Sequence, residues 1–156
     1  MTTIHGCIIS LVVIILAAMS VSSDAEARSL KDEHHCLALT LYWEARGEGH
    51  RGMTAVGWTV LNRVRSSLFP STPCDVVFQG GERPPCQFSY WCDGKSDWPR
   101  DRRGWKTALV IAATLLVSPP KDPTYGALFY HSTAIRNPWK RIRIRTTRIG
   151  RHIFYR

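Results

Sequence analysis

The sequence predicts a small α+β domain, three main helices followed by a small antiparallel sheet. Before residue 118, apolar residues recur at helical spacing in three separate stretches. Near the end, Arg141-Ile142-Arg143-Ile144-Arg145 alternates strictly between cationic and apolar, which is the period of a strand. Helices that come first and strands that come last segregate into α+β architecture instead of interleaving as α/β. With 156 residues, 44% of them hydrophobic, the chain can build one real core.

The first residues are set apart from that core. Cys7 to Val21 is an apolar run, followed by Ser22 and Ser23 and then by the small-x-small signature Ala25-Glu26-Ala27. This reads as a secretory signal peptide over residues 1–27, with residues 28–156 as the working domain. Met1 to Gly6 lacks the usual Lys or Arg, and an uncleaved N-terminal anchor is the alternative. The run is short of the roughly 20 apolar residues of a spanning helix. An exported protein, in the periplasm or cell envelope, is expected. Removing residues 1–27 takes away Asp24 and Glu26 and no Lys or Arg, so the formal charge rises from +9 to +11. Four cysteines remain: Cys36, Cys74, Cys86 and Cys92. An even number in an exported domain points to two disulfides, with three pairings open; Cys86–Cys92 with Cys36–Cys74 is preferred. No metal or cofactor is expected. No Cys-x-x-Cys occurs, and His34-His35-Cys36 has the wrong spacing for one helix face.

The first helix is expected to start at Asp32, an N-cap residue type. Leu37, Leu41 and Ala45 fall at i, i+4 and i+8 and form its buried stripe. Glu44, at i+7 from Leu37 and i+3 from Leu41, lies on or beside that stripe. A partly desolvated carboxylate has a raised pKa, which suits a general acid working near neutrality. The structural alternative is a Glu44 that caps the core or pairs with Arg46 or Arg63. Gly47 and Gly49 break the helix, and Glu48 points from the break toward the same cleft. A bond from Glu48 to the Gly49 or Gly52 backbone, or to Arg51, is its structural alternative.

Met53, Val56, Val60, Leu61 and Val64 mark a second amphipathic helix over residues 51 to about 67, stopped by Pro70 and Pro73. Gly52 and Gly57 would allow close packing on the first helix, while Arg63 and Arg65 would complement the dipole at its end. Residues 70–100 carry no sustained period, and long loops of this kind are usually functional or cross-linked. The segment Cys86-Gln87-Phe88-Ser89-Tyr90-Trp91-Cys92 is either a sugar-binding wall or a stapled turn packed by Phe88 and Trp91. Trp105, Ala108, Leu109, Ala112, Leu115 and Leu116 mark a third helix over about 102–117, the central buried one by its apolar character. Asp122 to Gly126 is a turn and Ala127 to His131 a short strand. The alternating run Arg141–Arg145, a turn at Ile149-Gly150-Arg151 and a last strand over His152–Tyr155 complete the sheet.

Several pieces together resemble the bacterial cell-wall hydrolases of the SleB/CwlJ type. They are Leu39–Glu48 with its Glu-Ala-Arg-Gly-Glu core, Val60-Leu61-Asn62-Arg63-Val64, Cys86-Gln87-Phe88-Ser89 with Cys92-Asp93-Gly94, Phe129-Tyr130-His131, Pro138-Trp139 and Ile149–Tyr155. They cover essentially the whole chain after residue 27, in order. The resemblance implies a fold similar to lytic transglycosylases and resuscitation-factor domains, themselves lysozyme-like. It implies action on peptidoglycan glycan strands, with Glu44 as the catalytic acid. Ser132–Arg136 and the basic run Lys140–Arg145 depart from the family pattern.

On that basis, a single acid, Glu44, is expected to cleave the β-1,4 bond between N-acetylmuramic acid and N-acetylglucosamine, leaving 1,6-anhydro ends. Hydrolysis, with Glu48 activating a water, is the alternative. Gln87, Ser89, Tyr130, His131 and Trp139 are candidate sugar contacts, with Glu48 as a further one. The net positive charge suits anionic envelope polymers or lipid head groups; no nucleic-acid motif is present, and a monomer is expected. A non-catalytic cationic envelope-binding protein is the rival of a different class.

Overall fold

The structure, a computed structural model, describes residues 32–136 and 142–156. Helix α1 occupies residues 32–45 and runs into a single 3-10 turn, Arg46–Glu48. α2 follows at once as Gly49–Val64, α3 is the short Pro73–Val77, and α4 is Arg102–Val117. A second 3-10 turn, Ser89–Cys92, lies in the long connection between α3 and α4. The sheet comprises β1 (Phe129–Ser132), β2 (Arg145–Ile149) and β3 (His152–Tyr155), all antiparallel, in the order β1-β3-β2. The α+β expectation therefore holds, with helices first and a three-stranded sheet last.

The central helix is α2, not the third apolar stretch. Every residue from Gly52 to Leu61 is buried, whereas α4 buries Ala108, Ile111, Ala112 and Leu115 and leaves Val110 and Val117 exposed. The reason is Gly57. A Cβ there would run into the Leu115 and Leu41 side chains, so its absence lets α1 and α4 close on α2 from two sides. Leu37, Leu41 and Ala45 of α1 are buried, as their spacing requires. α2 ends at Val64, earlier than expected, where the Arg65 and Ser66 amides bond back to the Leu61 and Arg63 carbonyls. α3 has two ordinary start signals: the Thr72 hydroxyl accepts from the Asp75 amide, and Pro73 occupies the first turn. Asp101 caps α4 by accepting from Arg103 N.

The sheet corrects two strand boundaries. β1 is Phe129–Ser132, two residues later at its start than Ala127. The strand expected over Arg141–Arg145 begins only at Arg145, and residues 137–141 lie outside the described ones. Hairpin register explains the shift. Ile149 pairs with His152 across a tight turn in which Gly150 takes φ 56°, and pairing counts back from that turn. The ladder ends where Ile144 and Arg156 exchange two backbone bonds of 3.0 Å. The Ile142 and Ile144 side chains are exposed, so the alternation there does not mark a buried face. At the expected turn, the Asp122 carboxylate collects the Thr124 amide and hydroxyl, the Gly126 amide and the Asn62 side chain. Asn62 thereby ties the turn entering β1 to the last full turn of α2.

Cys36 pairs with Cys74 and Cys86 with Cys92. The first bridge joins α1 to α3, and Glu33 reinforces it by accepting from the Cys74 amide at 2.7 Å. The second closes the Gln87–Trp91 segment. Inside it Phe88 is buried, and the Trp91 ring lies 4.1 Å from that of Phe78.

Candidate active site

α1 carries Glu44 to the rim of an open groove of about 520 Å³. One wall is the stapled segment, with Gln87 and Ser89 exposed on its lip and Phe88 behind them. The other wall is β1, an edge strand of the sheet, which contributes Phe129, Tyr130, His131 and Ser132. Arg63, Arg143 and His152 complete the lining.

The Tyr130 hydroxyl donates to Glu44 Oε2 at 2.9 Å. Burial pushes the Glu44 carboxyl above its ordinary value, while the Tyr130 hydrogen bond and the Arg63 charge pull the other way without overcoming it. Glu44 thus keeps its proton at a pH where an exposed glutamate has lost it. Once the proton leaves, Tyr130 and Arg63 steady the carboxylate, so the same group can take a proton back. Burial and the neighbouring Glu44 hold the Tyr130 phenol well above its usual range, which keeps it a donor.

Arg63 was expected to complement the α2 dipole or to pair with Glu44. It is 5% exposed and forms part of the groove with Glu44. Its Nε donates to the Leu128 carbonyl at 2.8 Å, and its guanidinium lies 5.2, 5.4 and 5.8 Å from the rings of Phe69, Phe88 and Phe129. Spacing carried the signal: Arg63 is i+7 from Val56 and i+3 from Val60, on the buried stripe. Arg143 packs 3.2 Å over the Phe129 ring and lines the groove, from the run expected to form a strand with one cationic face. His152 is buried, its ring 5.0 Å from that of Tyr130. Nothing in its local sequence singled it out beyond its place in the last strand.

The structure gathers Glu44, Gln87, Ser89, Tyr130 and His131 along one groove. His131 is committed to the sheet as well as lining it. Its Nδ1 donates to the Ser132 carbonyl at 2.8 Å, and its Nε2 shares a hydrogen bond of 3.0 Å with the Tyr155 hydroxyl. Trp139 lies outside the described residues.

Glu48 is not among the groove residues. Its carboxylate accepts from the Arg151 amide at 2.8 Å and from Arg151 Nε at 2.6 Å. The partner is thus Arg151, not Arg51 or the Gly49 or Gly52 backbone. Gly52 and Gly150 leave the room for this side chain, since a Cβ at either would collide with Glu48. These bonds hold the Glu48 carboxyl below its ordinary value, as an ionised structural tie. Among the described residues, no three His, Cys, Asp or Glu side chains converge as a metal would require.

Residues 47–155 match the cell wall hydrolase family. The match opens just after Glu44, whose place rests on the groove itself. Spore cortex-lytic enzymes of Bacillus subtilis and Oceanobacillus iheyensis are 33% identical to the chain over 119 residues, 76% of its length. That region is 35% of the first relative and 39% of the second, so the chain spans little more than a third of the curated relatives it matches. The crystal structure of the catalytic domain of the Bacillus cereus SleB protein is 30% identical, with TM-score 0.61 over 81% of this chain and 91% of that one. The catalytic domain of the germination-specific lytic transglycosylase SleB from Bacillus anthracis gives the same identity and TM-score over 80% and 93%.

Proposed function

Because the chain belongs to the cell wall hydrolase family, we propose that it degrades peptidoglycan as a lytic transglycosylase, with Glu44 as the one catalytic acid and base. The observation that carries this reading is the single carboxylate of the groove: among the described residues Glu44 alone is acidic there. Most glycosidases need two carboxylates, one acting on the leaving group and one as nucleophile or water base. Here protonated Glu44 donates to the oxygen of the β-1,4 bond between N-acetylmuramic acid and N-acetylglucosamine. An oxocarbenium-like centre develops at the muramic anomeric carbon. The carboxylate, steadied by Tyr130 and Arg63, then takes the proton of the muramic 6-hydroxyl as that oxygen attacks the same carbon. A 1,6-anhydro sugar leaves, no water is consumed, and Glu44 is protonated again. Gln87 and Ser89 stand on the lip where N-acetyl and hydroxyl groups would lie.

The hydrolytic alternative needs Glu48 as a water base, and the two bonds to Arg151 favour a structural role for that carboxylate instead. Export is part of the proposal. The Cys36–Cys74 and Cys86–Cys92 bridges support an oxidising compartment, as peptidoglycan requires. No helix among the described residues is long and apolar enough to cross a membrane.

Mass spectrometry of muropeptides released from purified peptidoglycan tests the reading, with Glu44→Gln alongside. Anhydromuramyl ends that vanish in the variant are expected. Reducing ends, heavier by one water, would replace transglycosylation with hydrolysis, and release of nothing by oxidised, folded protein would overturn the activity.

A further inference from the structure

A second cavity, of about 360 Å³, lies beyond the aromatic wall that flanks Glu44. Trp43 and Tyr90 form that wall, their rings inclined by only 19° with centroids 6.5 Å apart. Each is a chain neighbour of a groove residue: Trp43 precedes Glu44, and Tyr90 follows Ser89. The Tyr90 hydroxyl is held from behind by the Thr40 hydroxyl at 3.0 Å, which fixes the ring in the wall. The cavity is pinned open. Trp43 Nε1 donates to the Asp97 carbonyl at 3.0 Å, and the Tyr42 hydroxyl accepts from the Arg100 and Asp101 amides at 3.1 and 2.9 Å.

Its lining has charges of both signs, only two of which pair with one another. The one ion pair within it is the exposed Asp93–Lys95 contact of 3.3 Å. Among the described residues Asp97, Arg46 and Arg100 form no ion pair. Arg46 lies instead over the Tyr42 and Trp43 rings, 4.8 Å from each. Burial, and then the charge of Asp93, push the Asp97 carboxyl up, so a cation brought beside Asp97 is favoured. An arginine stacked on aromatic faces keeps its N–H edge for an anion. A site with separated positive and negative groups over an aromatic wall complements a ligand that carries an ammonium and a carboxylate close together.

We propose that this cavity binds the zwitterionic part of the peptide that branches from the glycan, with its ammonium toward Asp97 and its carboxylate toward Arg46 and Arg100. This rests on the peptidoglycan reading above. The cavity would then select strands that carry peptide over bare glycan.

The probe is a free stem peptide containing a diamino acid with ammonium and carboxylate on one carbon, added to the full, oxidised chain. Trp43 lies against the cavity, so its indole N–H resonance reports occupancy. A saturable shift is expected. Acetylating that amine on the peptide, and separately Asp97→Asn and Arg100→Gln, should each weaken binding by about tenfold. Acetylation needs no variant, so a variant that fails to fold leaves the test standing. No shift, or equal binding of the acetylated peptide, overturns the proposal. So does a shift produced by peptide-free glycan and not by the peptide, which would make the cavity another sugar subsite. Muropeptide release is read in a separate assay. Peptide binding without glycan cleavage would sink the transglycosylase reading alone, and cleavage without peptide binding would sink only this one.

Discussion

Glu44 and Tyr130 share a hydrogen bond, and pH separates their contributions. Burial raises the Glu44 pKa above 4.5, so the folded state holds a proton that the unfolded chain has released. Between those two values stability falls as pH rises, and above the folded value the full cost of a buried charge remains. Glu44→Gln removes that cost. Thermal melts should show the variant at least as stable as the parent at neutral pH, with its advantage fading as pH drops toward 4.5, while wall-lytic activity is lost. Tyr130→Phe acts in the opposite sense on the acid. The hydroxyl lowers the Glu44 pKa, so its removal raises it further and moves the basic limb of the kcat/KM profile to higher pH. The rate itself should drop on the order of a hundredfold, because the developing carboxylate loses its donor. Of this pair the sequence exposes Glu44 well, since helical spacing alone puts it beside a buried stripe. Arg63 obeyed the same spacing and was legible as a partner for Glu44, beside the ordinary reading of a cation near a helix end. Only packing shows three aromatic rings gathered around it.

At the scale of elements, α2 holds the molecule together because it is thin. Replacing Gly57 by Ala would raise helix propensity by about 1 kcal/mol. The added methyl would meet the Leu115 and Leu41 side chains from both neighbouring helices, and overpacking costs about 1–3 kcal/mol. Urea unfolding of Gly57→Ala should therefore show no net gain, with a loss of up to about 2 kcal/mol. Helices were the legible part of this fold: α4 spans the expected residues, and α1 buries the expected stripe. Strands were less so. The Arg141–Arg145 alternation suggested a two-faced strand, yet Ile142 and Ile144 stay exposed and pairing is set by the Gly150 turn. The short α3 sat unread in the irregular stretch, although Thr72-Pro73 announces it. The Glu48–Arg151 tie spans 103 residues of sequence, a distance that local reading cannot bridge.

At the scale of the whole molecule, the two disulfides do different work. Cys36–Cys74 closes a 38-residue separation, Cys86–Cys92 one of 6. Chain entropy alone makes the long bridge worth about 4 kcal/mol and the short one about 2 kcal/mol. Denaturant unfolding of the Cys36→Ser/Cys74→Ser and Cys86→Ser/Cys92→Ser pairs should reproduce that order. The short-loop pair should also raise KM, because it frees the lip that carries Gln87 and Ser89. Cysteine count made two bridges legible; three pairings remained because connectivity depends on where α3 docks on α1.

The proposed transglycosylation, in a groove where Glu44 is the one acid among the described residues, has a practical corollary. Each cut made there would turn one glycan into two without creating a new hemiacetal. Colorimetric assays that count reducing sugar would therefore register nothing, even as a turbid suspension of walls cleared in the same tube.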